Sequence, residues 1–236
     1  GVKIKLKTTA TPESVKAFNP DHVIVAVGAK RYAPSIKGKD GKNVFDGEQL
    51  RGLLFGSDAN AIKKLSLFQQ VILKAGRATQ LLRNIYALRF LSKIWMPFSK
   101  NIVVIGGDLV GLELAEFLVE RGRTVKVLEP SGSLGPNLSI VRRSRVVHML
   151  KEHGVELLTN VMIEEINDQE VIFDHEETKK SLQADQVIIA LGANANTQLS
   201  DDLTRLNLPF TSIGDCTSIG YIHGAISDAR EAVINL

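Results

Sequence analysis

The chain of 236 residues has one cysteine, Cys216, and one tryptophan. A lone cysteine excludes an intrachain disulfide and any metal cluster built from this chain's cysteines alone, and it suits a reducing, cytoplasmic setting. No apolar run reaches the roughly 20 residues that a membrane span needs, and no signal-peptide pattern opens the sequence. From Ala59 to Lys100 there is no acidic residue, although that stretch carries eight lysines and arginines. The net charge of +3 therefore hides a basic segment set in an acidic remainder. Hydrophobic residues make up 44% and charged residues 23%, which allows a folded core of ordinary size.

What is present is concentrated between Asn101 and Glu129. Asn101 to Ile105 is a short apolar run that ends at Gly106-Gly107, as a buried parallel strand entering a tight turn does. Leu109, Leu112, Ala115, Leu118 and Val119 then recur at helical spacing, and Gly122 stops the helix. Thr124 to Leu128 is a second apolar strand, closed by Glu129. Strand, glycine turn, helix, strand and acid make up the dinucleotide-binding βαβ unit.

Each residue type has a physical role there. Gly106 permits the turn, and Gly111 lets the helix approach the sheet. The helix start, with Gly107, Asp108 and Leu109, turns backbone N–H groups toward a pyrophosphate. Glu129 is placed to meet a ribose 2′-hydroxyl and would repel a 2′-phosphate, so NAD(H) is expected over NADP(H). Asp108 departs from the pattern, because the middle glycine of G-x-G-x-x-G belongs there. It either burdens the phosphate site with a like charge or simply caps the helix.

Elsewhere, Gly1 to Thr8 alternates apolar residues with lysines like a half-exposed strand. Pro12 opens a short helix ending at Phe18, and Val23 to Val27 reads as a fully apolar strand ending at Gly28-Ala29. Gly135-Pro136 should open a helix that stops at His153-Gly154, and Val161 to Ile166 with Glu170 to Phe173 reads as a β-hairpin or meander. The basic stretch reads as a helical hairpin with a break at Gly76; its leucines pack on a neighbouring module, or it lies on anionic lipid. No nucleic-acid motif accompanies its charge. Arg142, Arg143 and Arg145 read as a solvated helix face, with a nucleotide phosphate as the alternative.

Asp21 to Ala29 recurs as Asp185 to Ala193: acid, polar residue, apolar strand, then a Gly-Ala turn at Gly28 and Gly192. Two such strands flanking a dinucleotide unit suggest one nucleotide-binding module inserted in another. Thr211 to Cys216 is then a strand ending in Gly214-Asp215, and Ile222 to Leu236 a closing helix that carries His223.

In this order the motifs resemble the two-dinucleotide-binding-domain flavoproteins. More narrowly, they resemble the C-terminal half of 2,4-dienoyl-CoA reductase, 2-enoate reductase and trimethylamine dehydrogenase. The resemblance implies an α/β fold in which a Rossmann-like NAD-binding module sits inside a partial FAD-binding module, with a helical connector. The expected divisions are 1–58 and 194–236 for the FAD-type module, 59–99 for the connector and 100–193 for the NAD module. It further implies that Ala26-Val27-Gly28 and Ala190-Leu191-Gly192 join the modules, and that Gly214-Asp215 meets the ribityl chain of FAD. In that family hydride passes from NAD(P)H to FAD, and electrons then pass through a 4Fe–4S cluster to FMN in an N-terminal barrel. The glycine fingerprint for FAD, the cysteine cluster and the barrel are expected in a part of the parent preceding Gly1. The rival expectation is a Rossmann-like docking domain that binds no cofactor.

Overall fold

The computed structural model describes residues 1–31, 34–55, 58–78 and 85–236, with side chains undescribed at 51, 54–55, 76–78, 85 and 87–88. It divides into two compact units, Ala33–Gly192 and the pair Gly1–Tyr32 with Ala193–Leu236. In chain order the elements begin α1 (Pro12–Phe18), β1 (Val23–Val25), β2 (Ala29–Arg31), β3 (Val44–Asp46) and α2 (Gly47–Phe55). The basic stretch follows as α3 (Ala59–Lys63), α4 (Leu67–Ala78) and α5 (Ile85–Ile94). Next come β4 (Asn101–Ile105), α6 (Leu109–Val119), β5 (Thr124–Leu128), α7 (Ile140–Glu152) and β6 (Glu156–Leu158). The meander β7 (Val161–Ile166), β8 (Glu170–His175) and β9 (Thr178–Gln183) leads to β10 (Gln186–Ile189). The chain closes with β11 (Ala193–Ala195), α8 (Gln198–Arg205), β12 (Phe210–Ser212) and α9 (Tyr221–Ile234).

The larger unit is built on a parallel sheet ordered β3-β10-β4-β5-β6. Its central strands are apolar on both faces because both are covered. On one face Ile102, Val104, Val125, Val127 and Ile188 meet Leu112, Ala115 and Leu118 of α6 and Val146 and Leu150 of α7. On the other, Val103, Ile105, Leu128, Val187 and Ile189 meet Val161, Ile166, Val171 and Phe173 of the meander. Helices, parallel sheet and antiparallel sheet form three layers, the Rossmann-like arrangement that the sequence implies.

The segment 33–58 lies in this unit, because Val44↔Val187 pairing brings β3 to the sheet edge. The connector lies here too: Leu65 and Leu73 bury against Phe45 and Leu53. Gly76 does not break α4, which continues to Ala78; one glycine costs a helix only about 1 kcal/mol. Leu81 and Arg83 of the expected hairpin lie outside the described residues.

In the smaller unit β1 and β12 pair in parallel, and Val25, Leu203 and Cys216 form the core. Thr11 and Ser14 cap α1 reciprocally, with Pro12 in the first turn. Two expectations fail here. Gly1 to Thr8 forms no strand, and Val2, Ile4 and Leu6 are 92, 78 and 81% exposed; alternation cannot make a strand without a neighbour to take its backbone bonds. The strand from Val23 is three residues long, and Ile24 and Val27 are exposed. Val25 is buried in the core while Ile24, on the opposite face, is open, and among the described residues only β12 pairs with β1.

Candidate functional site

The glycine turn sits where the order of the strands reverses. β4 is flanked by β5, next in sequence, and by β10, which arrives only after the meander. Ligands in open α/β sheets bind outside the carboxyl ends of strands at such a point. Ile105 pairs with Leu128 on one side and Ile189 on the other, so Gly106, Glu129 and Ala190 emerge side by side.

The turn leaves no room for side chains. Gly106 has φ +114°, and a Cβ there would lie 2.7 Å from the Ala190 carbonyl oxygen. At Gly111 an added Cβ would lie 1.8 Å from the Gly106 carbonyl oxygen, so α6 rests directly on the turn. Gly107 is confined by Leu134 and by Glu129, at 2.5 and 3.0 Å from its missing Cβ. At Gly106 and Gly111 the obstacle is backbone, so these two accept no side chain without backbone movement, whereas at Gly107 the side chains of Leu134 and Glu129 would have to give way.

Glu129 is buried at 7% exposure, directly after β5. Its Oε2 accepts the Gly107 N–H at 2.5 Å, and its Oε1 accepts the Ser131 N–H at 2.7 Å. Each carboxylate oxygen has a second lone pair to offer a hydroxyl.

Asp108 stands at the N-cap of α6 with extended backbone, yet its side chain makes no capping bond. The expected capping role is therefore not what the carboxylate performs: Asn137 Nδ2 donates to its Oδ2 at 2.7 Å. The same loop is fastened a second time, by the Gly135 N–H to the Gly107 carbonyl at 2.7 Å. This is why α7 starts at Ile140 and not just after Pro136. Asn137, Gly135 and Leu134 were not evident from the sequence, since their partners are distant and their own spacing matches no motif. Arg142, at the start of α7, pairs with Glu113 of α6, an interhelical tie that leaves no need for a phosphate.

A cavity of about 450 Å³ opens beside Pro130 and Leu191, past the carboxyl ends of β5 and β10. Pro34, Ile36, Met162 and Ile163 also line it, giving mostly apolar walls of a size suited to a small ligand.

The two repeat strands, β1 in the smaller unit and β10 in the larger, end alike. Gly28 and Gly192 have φ of +72° and +61°, and the strands that follow them, β2 and β11, pair antiparallel. Gly214 has φ +70° and donates its N–H to Asp228 Oδ2 at 2.8 Å. Asp215 Oδ1 accepts the N–H groups of Gly220 and Tyr221 at 3.0 and 3.1 Å, which fixes the start of α9. Cys216 is buried, its thiol donating to the Val25 and Ile213 carbonyls, and His223 is exposed on α9. Among the described residues no cluster of three His, Cys, Asp or Glu is placed to hold a metal.

Residues 2–216 match the sequence pattern of the pyridine nucleotide-disulphide oxidoreductases. The chain belongs to this family. Within it, the chain is 30% identical to bilirubin reductase of Mediterraneibacter gnavus (strain CC55_001C), over 91% of this chain and 27% of that protein. It is 26% identical to NADH oxidase of Thermoanaerobacter brockii, over 96% of this chain and 30% of that protein. Among solved structures, 2-naphthoyl-CoA reductase in complex with 2-naphthoyl-CoA superposes with a TM-score of 0.73 at 26% identity. All of this chain and 30% of that one are covered. The resemblance to the reductase branch of these flavoproteins therefore holds. The chain spans less than a third of the length of these relatives, and no helix among the described residues is long and apolar enough to cross a membrane.

Proposed function

We propose that this chain is the NADH-oxidising portion of a larger flavin-dependent reductase of the ene-reductase type. The observation that carries the reading is the Gly106–Gly111 turn at the β4/β10 switch point, where added Cβ atoms would collide with backbone. Glycine at these positions keeps side chains out of the way of the backbone amides at the start of α6, the groups a pyrophosphate would meet. The nicotinamide supplies the hydride and the flavin of the intact parent accepts it.

The chain's own contribution is placement. Gly106, Gly107, Asp108, Leu109 and Gly111 shape the phosphate cradle, and Glu129 takes a ribose hydroxyl on its remaining lone pairs while disfavouring a 2′-phosphate. Ile36, Met162 and Leu191 give the adjoining cleft apolar walls. On the flavin side, Gly28, Gly214 and Asp215 of the smaller unit would meet FAD, and Gly192 would end the strand that leads back to that unit, with FMN and the 4Fe–4S cluster held by the parent's N-terminal barrel. Hydride transfer needs no side-chain acid or base, so no catalytic residue is assigned.

Calorimetric titration of the purified chain with NADH is the test. Binding that strengthens at least tenfold in Asp108→Gly supports a dinucleotide site that the carboxylate weakens. Absence of heat at millimolar NADH in both proteins returns the chain to the rival reading of a docking domain without cofactor, which Asp108 favours.

A further inference from the structure

Two helices of the larger unit carry apolar side chains on the side away from their core. On α4, Leu67, Phe68 and Val71 are 81, 69 and 63% exposed, while Leu73 on the opposite side is buried among Phe45, Leu53 and Leu65. On α5, Phe90 and Ile94 are 66 and 70% exposed. They share one stripe with Arg89 and Lys93, also exposed, at helical spacings of three and four. The inner side of α5 makes a separate bond, from Arg121 Nε to Ser92 Oγ. A helix on a protein surface ordinarily turns polar residues outward. Here both helices turn out large apolar residues interleaved with cations.

Charge decides among possible occupants of this face. Residues 59–100 contain no acid, and among the described residues Lys74, Arg89 and Lys93 are the exposed charged side chains of these two helices. A second copy of the chain would bring cation against cation, and a neutral apolar surface would leave the arginine and lysines without counter-charge. An anionic bilayer answers both features. Aromatic and aliphatic groups enter the boundary between headgroups and acyl chains, while Lys and Arg stay level with lipid phosphates. Length agrees: helices of 12 and 10 residues extend about 18 and 15 Å, too short to span and long enough to lie in the interface.

We infer that α4 and α5 are each peripheral docking elements for anionic lipid, with Phe68 and Val71 of α4 and Phe90 and Ile94 of α5 inserted, and Lys74, Arg89 and Lys93 at the headgroups. This assignment stands independently of dinucleotide binding.

The test is co-sedimentation of the full chain with phosphatidylcholine vesicles and with vesicles that also contain phosphatidylserine. Two variants accompany it: Phe68→Ser/Phe90→Ser, which keeps every charge, and Lys74→Glu/Arg89→Glu/Lys93→Glu, which keeps every exposed apolar group. Circular dichroism confirms that both fold as the wild type does. The wild type is expected to pellet with phosphatidylserine vesicles at low salt, to be released by added salt, and to ignore phosphatidylcholine alone. Each variant is expected to bind at least tenfold more weakly. A wild type that stays in the supernatant with both vesicles overturns the proposal, as does a serine variant that binds like the wild type. Self-association that the serine variant abolishes, without vesicle binding, gives the face to a second copy and also overturns it.

Discussion

Replacing Gly111 by alanine separates helix propensity from packing, because the two predict opposite signs. Gly111 is the third residue of α6. In a helix interior, alanine is favoured over glycine by up to about 1 kcal/mol, so propensity alone makes the variant more stable. Packing says otherwise. The new Cβ would lie 1.8 Å from the Gly106 carbonyl oxygen, where ordinary contact begins at 3.4 Å, and the obstacle is backbone. Helix α6 must withdraw by roughly 1.6 Å, an overpacking of the kind that costs about 3 kcal/mol or more. In a chain of this size that lowers the melting temperature by about 6–12 °C. Gly224 in α9 is the control: a Cβ there meets nothing within 4 Å, so Gly224→Ala should raise stability by about 0.5–1 kcal/mol. Thermal unfolding followed by circular dichroism reads both. Because the first-turn amides of α6 move with the helix, NADH affinity should also fall at least tenfold in Gly111→Ala. A Gly111→Ala protein as stable as the wild type would refute the close contact between helix and turn, and with it the geometry of the cradle.

Three further outcomes follow from the site and its surroundings. Glu129→Gln should reduce the preference for NADH over NADPH at least tenfold, about 1.4 kcal/mol, when both are titrated by calorimetry; an unchanged ratio removes Glu129 from cofactor selection. Asn137→Ala frees the Asp108 carboxylate from its 2.7 Å partner. It should weaken NADH binding in the wild-type background and leave binding unchanged in the Asp108→Gly background; equal effects in both would show that Asn137 acts independently of Asp108. On the exposed meander, the Lys179 ammonium bonded to Glu164 holds that carboxyl below its ordinary range. The pair therefore favours the fold above the unfolded carboxyl's pKa, and this contribution is lost as pH falls through the lower folded value. In an NMR titration Lys179→Ala should move the Glu164 midpoint upward, and an unmoved midpoint would dissolve the pair.

The parts of the site legible in the sequence are those made by neighbours in the chain. Asn101 to Glu129 could be read almost residue by residue, because strand, turn and helix leave local signatures in apolar spacing and glycine placement. The Asp21–Ala29 and Asp185–Ala193 repeat correctly announced two strands with like endings. What stayed hidden depends on distant partners. Strand β3 is three residues, Val44–Asp46, and exists because β10 accepts it. Strand β9, with sequence TKKSLQ, is nearly all exposed and carries no apolar alternation. The turn before it places Glu176 and Glu177 at positive φ, where Asn-Gly would have given the hairpin away. Asn137 and Gly135 reach the glycine turn across a loop, and no spacing rule marks such a contact. The exposure of Phe68 and Phe90 was hidden for another reason: periodicity reveals that a helix has an apolar side, but not which way that side looks.

Gly107 has both of its backbone groups engaged within the chain, its N–H by Glu129 and its carbonyl by Gly135. The first anion lodged at this turn is thus the protein's own carboxylate. On the proposed reading, an incoming diphosphate is left the amides of the first turn of α6 beyond Gly107, and a main-chain donor is much the same whatever side chain it bears. With Asn137 drawing the side chain at position 108 aside, the Asp108 carboxylate on the same reading weakens the phosphate site without closing it.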